Sequence, residues 1–233
     1  MLDFLGLLVL IAAPTFVVYA VVSELRVGRA AKLWTTAGLA VWVGLAAALA
    51  ATGAYRGGEL AAAAIGASVI FVPAVASGLA LMSKAVRQAL LSVPLKTLIG
   101  LNILRLLGAF FLLLDAAGRL GGPFPLSAGW GDVLVGAIAA GLVLTRPRPG
   151  TVFWWSVFGT LDLVVAVGLG TLSANGSPIQ LIVAGAGSDA VQALPWSLIP
   201  TVMVPFFLVI HGIIFGKLRT EAAASTQPIA QAG

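Results

Sequence analysis

Residues 2–22 read LDFLGLLVLIAAPTFVVYAVV, an uninterrupted apolar run in which Asp3 is the one charged residue. A helix needs about 20 predominantly apolar residues to cross the roughly 30 Å of hydrocarbon in a bilayer. The run therefore predicts a transmembrane helix. Because no basic segment precedes it, we expect a retained first span and no cleaved signal peptide.

Six further apolar runs of similar length follow the first one along the chain. Together the seven predicted spans cover residues 2–22, 33–55, 60–82, 94–114, 129–144, 152–172 and 198–215. A backbone surrounded by lipid has to satisfy its hydrogen bonds internally, so each span should be a helix. The sequence predicts an all-α integral membrane bundle of seven helices over residues 1–218, followed by a disordered tail at 219–233.

The composition supports this class of protein and excludes several others. Apolar residues make up 60% of the chain and charged residues 9%, which is too little charge for the surface of a soluble domain. The net charge of +5 does not indicate nucleic acid binding, because the basic residues are scattered over loops. The chain has no cysteine, which excludes disulfides and thiolate metal sites. We expect the lipid bilayer as a partner, and no metal or cofactor.

The distribution of the 13 lysines and arginines predicts an orientation. Loops one, three and five and the C-terminal segment share one side of the membrane and hold Arg26, Arg29, Lys32, Lys84, Arg87, Lys96, Arg146, Arg148, Lys217 and Arg219. The other side holds Arg56 and Arg119, and Arg105 lies within a span. Basic residues in short loops favour the cytoplasmic side. We therefore expect the C-terminus in the cytoplasm and the N-terminus outside, in a plasma membrane.

The loop between the sixth and seventh spans, residues 173–197, is long and mildly apolar. A structureless connection of that length is uncommon in a compact protein. The loop is expected to contain a short interfacial or re-entrant helix over the outer mouth of the bundle.

Arg105 is the most informative single residue. It lies about eleven residues into the fourth span, or some 16 Å at 1.5 Å per residue, which is close to the midplane. An arginine at that depth costs several kcal/mol unless it is paired or hydrated. Asn102 and Gly108 lie three residues to either side and share its helix face. The face thus combines an amide, a fixed cation and a place for close approach.

Two aspartates are candidate partners for this cation. Asp162 falls near the midplane of the sixth span, with Ser156 and Gly159 on the same helix face. Asp132 falls in the outer third of the predicted fifth span, so depth favours Asp162 unless the fifth span begins earlier. The group is either a structural tie between helices or a site that binds a polar or anionic ligand or relays protons. With one arginine and two aspartates, one acid lacks a permanent partner.

His211 is the only histidine in the chain and lies in the seventh span, below Pro200 and Pro205. It is either a satisfied packing residue or a partner of the unpaired aspartate. One histidine and two aspartates fit most intramembrane metals poorly. An intramembrane enzyme that uses His211 with an aspartate is a third hypothesis, but the chain has no nucleophile signature to support it.

Three sequence features carry a resemblance to a known family. They are Arg105-x-x-Gly108, the pair Ala128-Gly-Trp-Gly-Asp132 and Trp155-x3-Gly159-x2-Asp162, and the stretch from Leu194-Pro195 through Pro200 and Pro205 to His211. In them the chain resembles a family of small, uncharacterised polytopic membrane proteins of bacteria. The resemblance covers roughly residues 95–216 and implies a seven-helix membrane protein without implying an activity.

The sequence favours a small transporter or ligand-translocating protein. In that hypothesis Arg105 and Asn102 hold a polar or anionic group near the midplane, and Asp162 or Asp132 serves as counter-charge or proton carrier. The rival hypothesis is a sensor or assembly subunit that transports nothing, in which the same charges are structural clamps.

Overall fold

The computed structural model describes residues 1–225, and within that range the chain forms helices and turns without a strand. In chain order the elements are α1 (Leu2–Glu24), α2 (Arg29–Ala51), α3 (Gly58–Met82), α4 (Lys84–Ser92), α5 (Leu95–Leu101), a 3-10 segment (Asn102–Gly108), α6 (Ala109–Ala116), α7 (Pro123–Leu144), α8 (Pro149–Leu172), a short 3-10 turn (Asp189–Gln192), a π turn (Ile199–Met203) and α9 (Val204–Ser225).

Seven helical stretches of the described chain are long and apolar enough to cross a membrane, which confirms the prediction of a multi-pass, all-α membrane protein. The fourth stretch, Leu95–Ala116, consists of α5, the 3-10 segment and α6. Large apolar side chains such as Leu81 and Met82 are more than four-fifths exposed, as expected for a surface that faces lipid.

Two boundaries differ from the prediction. The fifth span begins at Pro123, well before residue 129, because proline suits the first turn of a helix and Gly122 turns the chain with a φ of 74°. Residues 219–225, predicted to be part of a disordered tail, continue α9 as a helix. The rest of that predicted tail, 226–233, lies outside the described residues.

The two ends of the bundle are tied by different contacts. At one end the Arg26 amide donates to Ser92 Oγ at 3.0 Å, and Lys217 Nζ donates to the Leu91 carbonyl at 2.7 Å. We call this the basic end, because it holds the loops that carry ten of the lysines and arginines. At the other, distal end, Arg119 and the indole of Trp196 both donate to Asp3 Oδ1, at 2.8 and 2.7 Å.

The fourth span changes from α-helix to 3-10 helix at Asn102. The Asn102 amide donates to the Leu98 carbonyl at 3.0 Å, a side-chain bond that competes with the α-helical backbone pattern. A 3-10 helix has three residues per turn, so residues at i, i+3 and i+6 lie in one line. Asn102, Arg105 and Gly108 form that line, and they are the buried residues of the segment.

The seventh span opens with a π turn that contains Pro200. Pro205 has no N–H, so the Thr201 carbonyl loses its α-helical donor. The indole Nε1 of Trp42 donates to this carbonyl at 3.2 Å, and the bond attaches α2 to the seventh span in the middle of the bundle.

The packing centres on the last four spans. α7 packs between the fourth span and α8, α8 packs on α9, and α9 packs on α3. The pair α1 and α2 contacts the fourth span and the π turn from one side. The site described below therefore lies among the fourth, fifth, sixth and seventh spans.

The long distal loop does not contain the predicted interfacial or re-entrant helix. Its one described helical piece is the four-residue 3-10 turn Asp189–Gln192. The loop is held by polar contacts instead, since the backbone and side-chain amides of Asn175 both donate to Asp189, at 3.1 and 3.0 Å. Positive φ angles at Gly185 and Gly187 bend the chain where a helix would need negative values.

Candidate functional site

Arg105 joins both candidate aspartates at once. Its Nε donates to Asp132 Oδ1 at 2.7 Å, and its Nη2 donates to Asp162 Oδ2. The arginine side chain has no solvent exposure, and those of Asp132 and Asp162 are 14% and 8% exposed. Because α7 begins at Pro123, Asp132 lies deeper than the predicted span boundary implied, at the level of Asp162. We call these three residues the ion cluster.

The remaining guanidinium nitrogen binds the sixth and seventh spans. Arg105 Nη1 donates to the Gly159 carbonyl at 2.8 Å and lies 3.4 Å from His211 Nε2. The Phe207 ring centroid lies 5.8 Å from the guanidinium carbon, within the range of a cation–π contact. One arginine thus connects the fourth span to the other three spans of the core.

The surroundings of His211 define its charge. Arg105 is a donor only, so His211 Nε2 has to face it with a lone pair, and the ring proton then resides on Nδ1. Nδ1 lies 2.7 Å from Ser156 Oγ, which accepts a hydrogen bond from the Nδ1–H group. A protonated imidazole would present a second N–H to the guanidinium. His211, which is 1% exposed, is therefore a neutral partner of Arg105 and does not use its ring nitrogens on a carboxylate.

Three glycines make room for the charged side chains. A Cβ atom on Gly108 would overlap Asp132, with Oδ2 at 2.9 Å. A Cβ atom on Gly131 would overlap the Asp162 carboxylate. A Cβ atom on Gly159 would lie 2.9 Å from His211 Nε2 and 3.2 Å from Arg105 Nη1. Any side chain at these positions would displace the ion cluster, so we call the three residues the glycine cradle.

Asn102 lies one 3-10 turn from Arg105, but its side-chain amide donates along its own helix. Its Nδ2 binds the Leu98 carbonyl, and its Oδ1 is buried without a hydrogen-bond partner among the described residues. The structure therefore brings Arg105, Asp132, Asp162 and His211 together, and it leaves Asn102 beside the group without a direct bond to it.

A cavity of about 60 Å³ leads from the distal loops to the ion cluster. Tyr55, Asn175 and Gln192 line its distal part, apolar side chains such as Leu163 line its walls, and Asp132 lines its deep end. This volume exceeds the roughly 10–15 Å³ that one water molecule needs. Asp132 is the member of the ion cluster that a molecule entering from the distal end would meet.

The formal charges of the site do not cancel. Arg105 contributes one positive charge, Asp132 and Asp162 contribute two negative charges when ionised, and His211 is neutral by its contacts. The centre therefore carries one negative charge too many for a neutral buried group. Binding one proton, or one other monovalent cation, would make it neutral.

Phe207 is not singled out by the sequence, because it looks like an ordinary residue of an apolar helix. Gly131 belongs to the quoted Ala128–Asp132 motif, but its contact with the Asp162 carboxylate depends on which helix faces it. The sequence does contain one signal of the site, which is a glycine three residues from each charge. Gly108 follows Arg105, and Gly159 precedes Asp162. Glycine at that spacing places a gap on the same helix face as the charge.

These features define a multi-pass membrane protein with a buried charged centre among four of its spans. A family model described as a domain of unknown function, DUF8737, matches residues 63–219, and the chain belongs to this family. The match includes the whole ion cluster and His211, and it omits α1, α2, the loop after α2 and the first residues of α3. No curated protein and no solved structure matches the chain.

Proposed function

We propose that the protein is a small membrane transporter in which the ion cluster binds and releases a proton during the transport of an organic cation or zwitterion. The observation that carries the proposal is the position of Asp132. This carboxylate belongs to a centre with one excess negative charge and forms the deep end of a cavity that leads to the distal loops. Intramembrane acids in such positions are typical of proton relays and substrate pathways.

The arrangement favours a cationic partner over an anionic one. The guanidinium of Arg105 is already bound by two carboxylates, and it does not line the cavity. An anion would have to displace an aspartate and would add a further negative charge to the centre. A proton or an ammonium group removes the excess charge instead, so it is the better occupant.

Protonation provides a physical route from binding to movement. A proton on Asp162 would weaken its bond to Arg105, and this bond is one of the polar links between the fourth span and α8. The bond from Arg105 Nη1 to the Gly159 carbonyl is a second link to the same helix. Two helices held together by a few strong contacts can exchange between two arrangements when a side chain in one of these contacts changes its charge. In the proposal, this exchange opens the centre towards the basic end.

The proposal includes an orientation and a membrane. Ten of the 13 basic residues lie in the loops and the helix end of the basic end, so we place that end in the cytoplasm, the N-terminus outside and the protein in a plasma membrane. The cavity that ends at Asp132 then opens to the outside.

A sensor or assembly subunit without transport is the second candidate. The observation that favours it is the saturation of Arg105, whose contacts with Asp132, Asp162, Gly159 and His211 link four spans as a structural clamp would. The two candidates differ in what the excess acid does. A clamp needs one acid, whereas a proton carrier needs an acid that can lose its proton to the cavity.

Flux measurements on reconstituted protein test the proposal. Purified protein is inserted into vesicles that contain a pH-sensitive dye, and choline, guanidine, arginine and spermidine are added in turn outside. We expect at least one of these cations to change the internal pH with the wild-type protein and with Asp115→Asn, a control at the distal end of the same span as Arg105. We expect Asp132→Asn to abolish the change while the protein remains folded.

Two results would count against transport. If no cation in the panel moves protons with the wild-type protein, the proposed coupling is wrong for that substrate class. If Asp132→Asn behaves as the wild type does and Asp162→Asn only lowers the thermal stability, the ion cluster is a clamp.

A further inference from the structure

A second, larger cavity lies away from the ion cluster. It has a volume of about 600 Å³ and is bounded by α1, α2, α3, α4 and α9. Its walls are apolar and include Gly38 and Leu39 from α2, Val75 and Leu79 from α3, and Ile213 from α9. Water in such a space would lack polar partners, so the cavity suits hydrocarbon.

The cavity is open to the lipid between α2 and α3. α2 packs on α1 and α3 packs on α9 and α4, and both helices also contact the π turn, so they come together at that turn and separate towards the basic end. On the α3 side of the opening, Phe71, Val75 and Leu79 are each 44–53% exposed although all three line the cavity. A chain lying in the membrane can therefore enter from the side.

The depth of the cavity matches one leaflet of a bilayer. Its deep end is closed by Trp42 and Phe71, whose rings stack at 5.0 Å with an interplanar angle of 19°. Its shallow end reaches Ala31 at the start of α2. The eleven residues from Ala31 to Trp42 span about 16 Å at 1.5 Å per residue. One leaflet of hydrocarbon is about 15 Å thick, half of roughly 30 Å.

Basic residues lie on the elements that form the shallow end, although none of them lines the cavity itself. The amphipathic helix α4 turns Ala85, Val86, Ala89 and Leu90 towards the cavity. The same rim carries exposed Lys84 and Arg87 on α4, Arg26 and Arg29 around the first loop, and half-buried Lys32, with Glu24 as the acidic residue beside them. Lys32 Nζ donates to the Ser23 carbonyl at 2.6 Å, so its charge is held at this rim. Basic residues at the interfacial end of an intramembrane pocket attract anionic lipid headgroups.

We propose that this cavity binds one anionic phospholipid from the leaflet at the basic end. An acyl chain fills the space below the Trp42–Phe71 pair, and the headgroup phosphate lies among the basic residues of the rim. This site is separate from the ion cluster and does not depend on the proposed transport.

Glycines on α2 provide a matched pair of variants for a test. A Cβ atom on Gly38 or on Gly44 would meet no atom within 4 Å, so both positions have open space beside the backbone. Gly38 lines the cavity, whereas Gly44 does not. Gly38→Phe should fill part of the acyl-chain space, and Gly44→Phe should place the same ring outside it.

The experiment measures the thermal unfolding of detergent-solubilised protein during titration with palmitoyl-oleoyl phosphatidylglycerol. The comparison ligands are phosphatidylcholine with the same chains, glycerol 3-phosphate and inorganic phosphate. We expect phosphatidylglycerol to raise the unfolding temperature at a concentration roughly fivefold or more below that needed for phosphatidylcholine. Glycerol 3-phosphate and phosphate should have no effect, because they lack the chain that fills the cavity.

The variants decide where the lipid acts. Gly38→Phe should lose the stabilisation by phosphatidylglycerol, and Gly44→Phe should keep it. The double variant Lys84→Gln/Arg87→Gln should weaken phosphatidylglycerol binding by roughly tenfold or more while binding phosphatidylcholine as before. The control double variant Arg146→Gln/Arg148→Gln removes the same charge from another loop at the basic end and should bind phosphatidylglycerol as the wild type does.

Each alternative outcome overturns the proposal in a different way. Equal effects of phosphatidylglycerol on Gly38→Phe and Gly44→Phe would place the lipid on the outer surface of the bundle. Equal effects of the two lipids on the wild type would mean that the site does not select an anionic headgroup. Stabilisation by glycerol 3-phosphate alone would indicate that the site binds a free anion. A dimer in native mass spectrometry that Gly38→Phe dissociates would make the cavity an interface between two copies of the chain.

Discussion

Gly131→Ala tests whether the glycine cradle holds the ion cluster in place. A methyl group at this position would overlap the Asp162 carboxylate, whose Oδ2 lies 3.0 Å from the ideal Cβ and whose other atoms lie closer. Gly131 and Asp162 are half-buried where α7 packs on α8, so we expect the carboxylate to move away from Arg105. The variant therefore breaks a buried ion pair without changing any charged residue.

The structure allows the size of the effect to be worked out. Removing one partner of a buried ion pair costs about 3–5 kcal/mol. The lower end applies here, because Arg105 keeps its bond to Asp132 at 2.7 Å. Alanine is favoured over glycine in a helix by about 1 kcal/mol. We therefore expect Gly131→Ala to lower the free energy of unfolding by about 2 kcal/mol.

A double-mutant cycle measures this coupling directly. In the Asp162→Ala background the carboxylate is gone, so Gly131→Ala should be neutral or stabilising by up to about 1 kcal/mol. Gly141→Ala is the control, since it lies on the same helix and its Cβ would meet no atom within 4 Å. Reversible unfolding in mixed micelles, followed by circular dichroism, gives the four free energies. If Gly131→Ala costs the same with and without the Asp162 carboxylate, the cradle does not act on the ion cluster.

Three further predictions concern the centre and the topology. Arg105→Gln should lower the free energy of unfolding by about 3–5 kcal/mol, as measured in the same micelles. Adding Asp162→Asn should restore part of this loss, and purely additive effects of the two substitutions would contradict the pairing. Ser156→Ala leaves the Nδ1–H of the buried histidine without its acceptor and should cost about 1–3 kcal/mol in that assay, whereas an unchanged stability would mean that this hydrogen bond is not formed. The chain has no cysteine, so a single introduced cysteine can be labelled selectively. On intact cells, Ala117→Cys at the distal end should react with a membrane-impermeant maleimide, and Thr145→Cys at the basic end should not. The reverse pattern would invert the proposed orientation.

The number of spans and the depth of Arg105 could be predicted because they depend on composition and on distance along a helix. Seven runs of spanning length leave little choice of fold, because a backbone in lipid has to satisfy its hydrogen bonds internally. The same depth argument favours Asp162 over Asp132 only if the fifth span begins at residue 129, as the apolar run predicts. The helix begins at Pro123 instead, and the added residues 123–128 bring Asp132 close to the middle of the span.

The conformation of the fourth span could not be predicted from its pattern. Asn102, Arg105 and Gly108 share a face in an α-helix too, but there each successive residue rotates away from the line of the previous one. The 3-10 geometry removes that rotation, and it occurs where the Asn102 side chain bonds to Leu98 and where α7 approaches closely. At Gly136, for example, a Cβ atom would lie 2.8 Å from the Leu106 amide nitrogen. Contacts between distant segments decide such local changes, and a single sequence does not reveal them.

The number of acids in the ion cluster is a stronger indication of function than the buried arginine itself. A buried ion pair contributes little net stability, because apolar residues of similar volume often do as well. A second acid bound to Arg105 lowers the net stability further, since it adds a buried negative charge that has no cation of its own. Structural needs alone would favour one aspartate and an amide at the other position. The chain instead keeps both acids, places one at the deep end of a cavity and surrounds the group with three glycines that leave room for it. This combination is expected if the excess charge is there to be neutralised reversibly, and it predicts that Asp132→Asn stabilises the fold while it abolishes transport.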